Sequence, residues 1–208
     1  MFLRAVPPSG LLCGQTAYNF LSCGSWGAFM KRTIPYWQMA GFFFTSVVGT
    51  LLHFLFDWTG GSTIAALFSA VNESIWEHLK LLFYPMFLFA IIESKFLEQE
   101  YEQFWCVKLK GILLGLLLIP VFYYTYTGTL GVSADWVNIA NYVVTVGIVF
   151  LAETRRFQKD GRCILRPETA IIVLCIIALV FTVFTFATPK IPIFKDPVTG
   201  SYGFYELK

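Results

Sequence analysis

Long apolar stretches alternate with short polar segments along the chain, and this pattern predicts an all-α membrane protein. Five stretches approach or exceed the roughly 20 apolar residues that a membrane-spanning helix needs. Backbone groups that face lipid must be hydrogen-bonded within their own segment, which favours helices over an open sheet. The predicted spans cover about residues 34–56, 76–96, 104–126, 136–153 and 168–187. They form one polytopic transmembrane helix bundle, a single domain over residues 30–208.

The basic residues concentrate in alternate connections, which predicts the orientation of this bundle. The connections between the first and second spans, and between the third and fourth, contain no lysine or arginine. Because basic loops stay on the cytoplasmic side, the N-terminus is predicted inside and the C-terminus outside. The residues behind this prediction are Arg4, Lys31 and Arg32, then Lys95, Lys108 and Lys110, and finally Arg155, Arg156, Lys159, Arg162 and Arg166.

Composition agrees with a membrane protein and excludes some functions. Hydrophobic residues make up 57% of the 208 residues and charged residues only 13%, against about 25% in soluble domains. The basic residues are not interleaved with aromatic ones, so a nucleic-acid partner is not expected. The cysteines show neither metal-type spacing nor a disulfide framework, and they are predicted to be small apolar residues or unpaired thiols. They are Cys13, Cys23, Cys106, Cys163 and Cys175.

Residues 1–29 differ from the rest of the chain. Proline, glycine, serine and cysteine are scattered through this segment, and its apolar run is too broken for a signal peptide. By contrast, "MKRTIPYWQMAGFFF" from Met30 is typical of a bacterial start before a first span. We therefore expect a poorly ordered N-terminal extension, with Met30 as the hypothetical natural start.

The segment "FSAVNESIWEHLKLLFYPMFLFAII", residues 68–92, places ionisable groups at the predicted outer start of the second span. Part of it has a structural explanation, because Ser74 followed by Glu77 is a capping box in which each side chain binds the other's backbone N–H. That explanation leaves His78 unaccounted for. On one helix, Glu73 and Glu77 would also form an unfavourable like-charge pair, unless they share a proton or a cation. The candidates for an ion or proton site are Asn72, Glu73, Glu77 and His78.

A divalent metal ion is the second hypothesis for this region. His53 and Asp57 are four residues apart, so they share one side of the first helix near its outer end. Together with Glu73 and His78 they would offer imidazole and carboxylate ligands, which suit zinc, manganese or iron(II). Glu73 and His78 would point in different directions on a regular helix, so a shared ion requires an unwound first turn.

Three functional hypotheses follow, and the sequence does not decide whether the protein is an enzyme. The first is transport of a small solute or ion through a polar outer-face vestibule. The second is a metal-dependent hydrolase that acts at the outer leaflet. The third is a non-catalytic membrane subunit or sensor. Besides the lipid bilayer, a second copy of the chain or another membrane protein is a conceivable partner.

Several segments together resemble a known family. They are "LLHFLFDWTGG", "FSAVNESIWEHLKLLFYPM", "FWCVKLKGILLGLLLIPVFYYTYTG", "LAETRRF" and "TFATPKIPIFKDPVTGSYG". In order and spacing they resemble an uncharacterised, domain-of-unknown-function family of small multi-pass membrane proteins from Firmicutes. The resemblance covers about residues 30–203, and members of that family start near the equivalent of Met30. It implies a multi-pass protein of the bacterial cytoplasmic membrane, and it implies no activity, substrate or catalytic residue.

Overall fold

The protein is all-helical in the computed structural model, which describes residues 17–131, 133–159 and 163–205. Within these residues, β-structure is limited to an isolated bridge between Lys195 and Tyr202. The helices are α1 (Ala17–Trp58), α2 (Thr63–Phe68), α3 (Ile75–Leu97), α4 (Phe104–Leu130), α5 (Asp135–Gln158) and α6 (Pro167–Phe186), followed by a 3-10 turn at Pro192–Phe194.

Five of these helices are long and apolar enough to cross a membrane, which confirms the predicted fold class. The segments are Thr33–Trp58, Ile75–Leu97, Phe104–Leu130, Trp136–Gln158 and Pro167–Phe186. Each agrees with a predicted span to within five residues at either end. Residues 1–16, most of the predicted N-terminal extension, lie outside the described residues, and from Ala17 the backbone is already part of α1.

The long helices run alternately up and down, so their connections gather at two ends. We call the end with residues 98–103 and 159–166 the basic end, and the end with residues 59–74 and 187–205 the cap end. A hydrogen bond from Gln103 Nε2 to the Lys159 carbonyl (3.2 Å) joins the two connections of the basic end. The apolar core is formed between the ends, where α1, α3, α4 and α5 pack on one another and α6 packs mainly on α4.

A tyrosine hydroxyl of α5 links α1, α3 and α5 at the point where a proline interrupts the hydrogen bonds of α3. Pro85 has no N–H, so it cannot bond to the carbonyl four residues earlier, that of Leu81. The hydroxyl of Tyr142 lies 3.1 Å from this carbonyl and 2.9 Å from the Thr45 carbonyl, where it can donate. Gly49 makes room for the tyrosine, since a Cβ there would overlap its hydroxyl.

The cap end is closed by α2 and by the C-terminal tail. The indole of Trp76, in the first turn of α3, contacts the rings of Phe181 and Phe194, so the start of α3 is packed on α6 and on the tail. In the tail, Asp196 accepts bonds from the backbone N–H groups of Val198 and Thr199, which fixes a tight turn. These contacts bury the side of α3 that faces α6 and the tail, and the opposite side of its first turn stays accessible.

Two predictions about the basic end are wrong. Cys106 and Cys163 form a disulfide bond there, whereas the sequence predicted unpaired thiols. Their separation of 57 residues hides the pairing from local pattern analysis. Lys108, which was counted with the loop residues that set the orientation, lies in α4 and is only 2% exposed. The connection 98–103 contains no basic residue, so the bias at this end rests on residues 159–166 and on the adjoining helix ends, which carry Lys95, Lys110, Arg155 and Arg156.

Candidate metal centre at the cap end

His53, Glu73 and His78 come together at the cap end. One ligand atom from each lies within 4.8 Å of the other two. His53 Nε2 is 3.8 Å from Glu73 Oε1, and His78 Nε2 is 3.4 Å from Glu73 Oε2. These residues come from α1, from the segment before α3 and from α3 itself, so the three-dimensional fold assembles the group.

The start of α3 explains how Glu73 reaches both histidines. The helix begins at Ile75 with Ser74 as its N-cap, so Glu73 precedes the helix and is free of its periodicity. Ser74 Oγ accepts from the Glu77 N–H (3.4 Å), and Asn72 Oδ1 accepts from the Ser74 N–H (3.0 Å). The predicted capping box is therefore only half correct, because Asn72 takes the part assigned to the Glu77 side chain.

His78 is held in an orientation that suits a metal ligand. Its Nδ1 lies 2.9 Å from the Ser74 carbonyl, which can only accept, so Nδ1 carries the proton in this bond. This leaves the lone pair of Nε2 directed at Glu73. Metal-binding histidines commonly donate their second ring nitrogen to such a carbonyl. His53 has no equivalent bond among the described residues, since its Nδ1 is buried without a partner.

One distance in this group matches the spacing of zinc ligands. Ligands about 2.0–2.1 Å from a tetrahedral ion are about 3.3–3.4 Å apart. The distance from His78 Nε2 to Glu73 Oε2 agrees with this value, whereas His53 Nε2 lies 3.8 Å from the other oxygen, Oε1, so a bound ion would draw the three side chains closer together. Glu73 is half exposed, so the group opens to the surface of the protein. Two imidazoles, one carboxylate and an open side are typical of metal sites that bind a further ligand.

Asn72 and Asp57 lie outside this group of ligand atoms. Asp57 is exposed, one helical turn after His53. Asn72 is mostly buried and shapes the turn before α3. The structure therefore brings together three of the four residues predicted for the metal site, and Asn72 positions the segment that carries Glu73.

Glu77 points to the opposite side of α3, into a separate buried ion pair. Its Oε2 lies 2.5 Å from Lys80 Nζ, and its Oε1 accepts from the Thr185 hydroxyl (3.1 Å). Lys80 is fully buried and also donates to the Ala66 carbonyl (2.9 Å). The prediction that Glu73 and Glu77 share one helix face is wrong, because the helix starts between them.

Sequence analysis missed a second buried ionic group, near the basic end. Lys108 Nζ lies 2.5 Å from Glu93 Oε2 and 2.6 Å from Glu153 Oε2, and Gln38 Nε2 donates to Glu93 Oε1 (2.8 Å). We call Gln38, Glu93, Lys108 and Glu153 the basic-end cluster. Ionisable residues inside apolar spans are costly and therefore informative. All three charged residues lie in predicted spans, but Lys108 was counted with the loop residues and the two glutamates were not considered.

Comparisons with known proteins give a family but no function. Neither the curated proteins nor the solved structures contain a match to this chain. A family model matches residues 29–204, most of the chain. The protein thus belongs to DUF6512, a family of unknown function.

Proposed function

We propose that this protein is an integral membrane protein that binds a divalent transition-metal ion at the cap end and uses it for hydrolysis at the membrane surface. The observation that carries the proposal is the convergence of His53, Glu73 and His78 within 4.8 Å. The five apolar helices support the membrane setting. The distribution of lysine and arginine supports a cap end that faces the cell exterior, with the N-terminus inside. By contrast, the Cys106–Cys163 disulfide at the basic end favours the opposite orientation, because disulfides are rare in the cytoplasm.

The chain's own residues would divide the work of such a site. His53, Glu73 and His78 would hold the ion, and the Ser74 carbonyl would keep the His78 ring in place. A bound ion of this class supplies Lewis acidity that polarises a carbonyl or phosphoryl oxygen. Asp57 is exposed one turn from His53 and is the nearest candidate for accepting a proton from the attacking water.

The geometry favours hydrolysis over transport, which reverses the order of the sequence-based hypotheses. Transport requires a polar route through the bundle. Between Lys80 and Glu93, however, every buried side chain of α3 is apolar, from Leu81 to Ala90. Glu77 is also committed to Lys80 and is not available to a mobile ion at the surface. The three-ligand group, by contrast, lies at one end of the bundle and is open on one side.

Zinc binding by the detergent-purified protein tests the first half of the proposal. We expect about one zinc ion per chain by elemental mass spectrometry, and loss of this zinc in both His78→Ala and Glu73→Gln. Glu100→Gln, an exposed glutamate near the basic end, is the matched control and should retain the metal. Folded variants that bind as much zinc as the wild type would refute the site.

Two further assays separate hydrolysis from transport. Zinc-loaded protein in mixed micelles should hydrolyse a p-nitrophenyl ester or phosphodiester, and the Glu73→Gln variant should not. Proteoliposomes with an encapsulated zinc indicator should show no zinc uptake. Uptake that depends on Glu73, without hydrolysis of either probe, would replace the enzyme proposal with transport.

A further inference from the structure

The basic-end cluster contains more negative than positive charge. Glu93, Lys108 and Glu153 are each at most 2% exposed. Two carboxylates and one ammonium leave one net negative charge in a region that excludes water. A buried charge without compensation costs several kcal/mol, so such groups are usually neutralised.

The surroundings of Lys108 show that its ammonium is not the group that loses charge. Its Nζ lies 5.5–6.0 Å from the centroids of four phenylalanine rings, in addition to its contacts with both carboxylates. The negative faces of aromatic rings attract a cation. The four rings are those of Phe89, Phe104, Phe150 and Phe157.

The hydrogen bonds distinguish the two carboxylates. Both oxygens of Glu93 face donors, since Oε1 accepts from Gln38 and Oε2 lies 2.5 Å from Lys108 Nζ, as an ion pair without hydrogen-bond geometry. Glu153 is paired through Oε2 only. Its Oε1 is buried against Gly111 and has no hydrogen-bond partner among the described residues. A charged oxygen in that position is poorly solvated, whereas a neutral carboxylic acid is tolerated.

We propose that the basic-end cluster is a proton-binding site, in which Glu153 holds one proton in addition to those of the Lys108 ammonium. The proton comes from the aqueous phase and forms an O–H bond on the Glu153 carboxyl, and Lys108 keeps all of its own. The charged groups of the described chain that act on Glu153 are Lys108 from α4 and Glu93 from α3. From α1 the cluster receives the uncharged Gln38, and the buried residues of α6 carry no charge.

Infrared spectroscopy of the full-length protein at neutral pH tests this site. The wild type should show the carbonyl band of a protonated carboxylic acid, shifted in heavy water, and Glu153→Gln should lack it. Glu77→Gln is the matched control, because Glu77 is equally buried but balanced one-to-one by Lys80, and it should keep the band.

Either half of the experiment can overturn the proposal. Wild-type protein without the band would show that Glu153 is ionised and would refute the proposal, and this result needs no variant to fold. A band that persists in folded Glu153→Gln would place the proton on another group. Both outcomes are independent of zinc binding at the cap end, so this proposal and the proposed function can fail separately.

Discussion

Replacing Lys80 by methionine should be among the most destabilising single changes at the cap end. The substitution keeps most of the side-chain volume but removes an ammonium that is fully buried. That ammonium contacts the Glu77 carboxylate at 2.5 Å and donates to the Ala66 carbonyl and the Thr185 hydroxyl. Without it, the carboxylate stays buried, and its remaining donors in the described part of the chain are the Thr185 hydroxyl and the Val71 N–H.

The expected loss in the free energy of unfolding is about 3–5 kcal/mol, the usual cost of removing one partner of a buried pair. Most of this cost belongs to the stranded carboxylate. A double variant, Lys80→Met with Glu77→Gln, removes both charges and should lose only about 1–3 kcal/mol, the cost of imperfectly paired polar groups.

Chemical denaturation in mild detergent, followed by tryptophan fluorescence, measures these differences. Trp76 lies in the first turn of α3 and contributes to this signal from the cap end, together with the other five tryptophans of the chain. Lys95→Met, an exposed lysine on the same helix, is the control and should change the stability by less than about 0.5 kcal/mol. The reasoning fails if Lys80→Met costs under 1 kcal/mol, or if the double variant is no more stable than the single one.

Three further predictions concern packing and orientation. Gly111→Ala should lower the free energy of unfolding by about 1–3 kcal/mol, because the added Cβ overlaps the buried carboxylate of Glu153. The control Gly128→Ala places its Cβ in open space and should be neutral or stabilising in the same denaturation assay. Tyr142→Phe should cost about 1–3 kcal/mol, since it leaves the carbonyl opposite the α3 proline without a donor; an unchanged denaturation midpoint would contradict this. In a background with serine in place of the native cysteines, Val198→Cys in the tail should react with an impermeant maleimide in intact cells and Lys159→Cys should not; the opposite pattern would invert the proposed orientation.

The spans could be predicted because length and apolarity are local properties of the sequence. The structure adds one turn or less to most of the predicted boundaries, and the helix starts at Ile75 and Pro167 follow from recognisable N-terminal signals. The Cys106–Cys163 pairing could not be predicted, because it depends on how the start of α4 and the connection before α6 meet in space.

The candidate site was partly predictable for the same reason. Both histidines and Glu73 stood out as ionisable groups near the ends of apolar helices. The separation of Glu73 from Glu77 could not be predicted, since it depends on a single residue, the N-cap Ser74, that ends the helical register between them. The burial of the Glu77–Lys80 pair could not be predicted either, because it depends on packing against Thr185 of α6.

The Glu77–Lys80 pair and the basic-end cluster affect the order in which the helices of the proposed membrane protein can insert and assemble. A charged residue costs about 2.5–3.5 kcal/mol in apparent insertion free energy at the centre of an inserting helix, and less near the helix ends, where these residues lie. Glu77 and Lys80 lie three residues apart on α3, so this helix can carry its own neutralised pair into the bilayer as it is made. Lys108 on α4 can pair with Glu93 as soon as α3 and α4 are both inserted, but Glu153 enters only with α5. Deletion of α5 should therefore leave Lys108 balanced one-to-one by Glu93, whereas an α5 helix inserted without α3 and α4 carries Glu153 unpaired and is an expected substrate for membrane quality control.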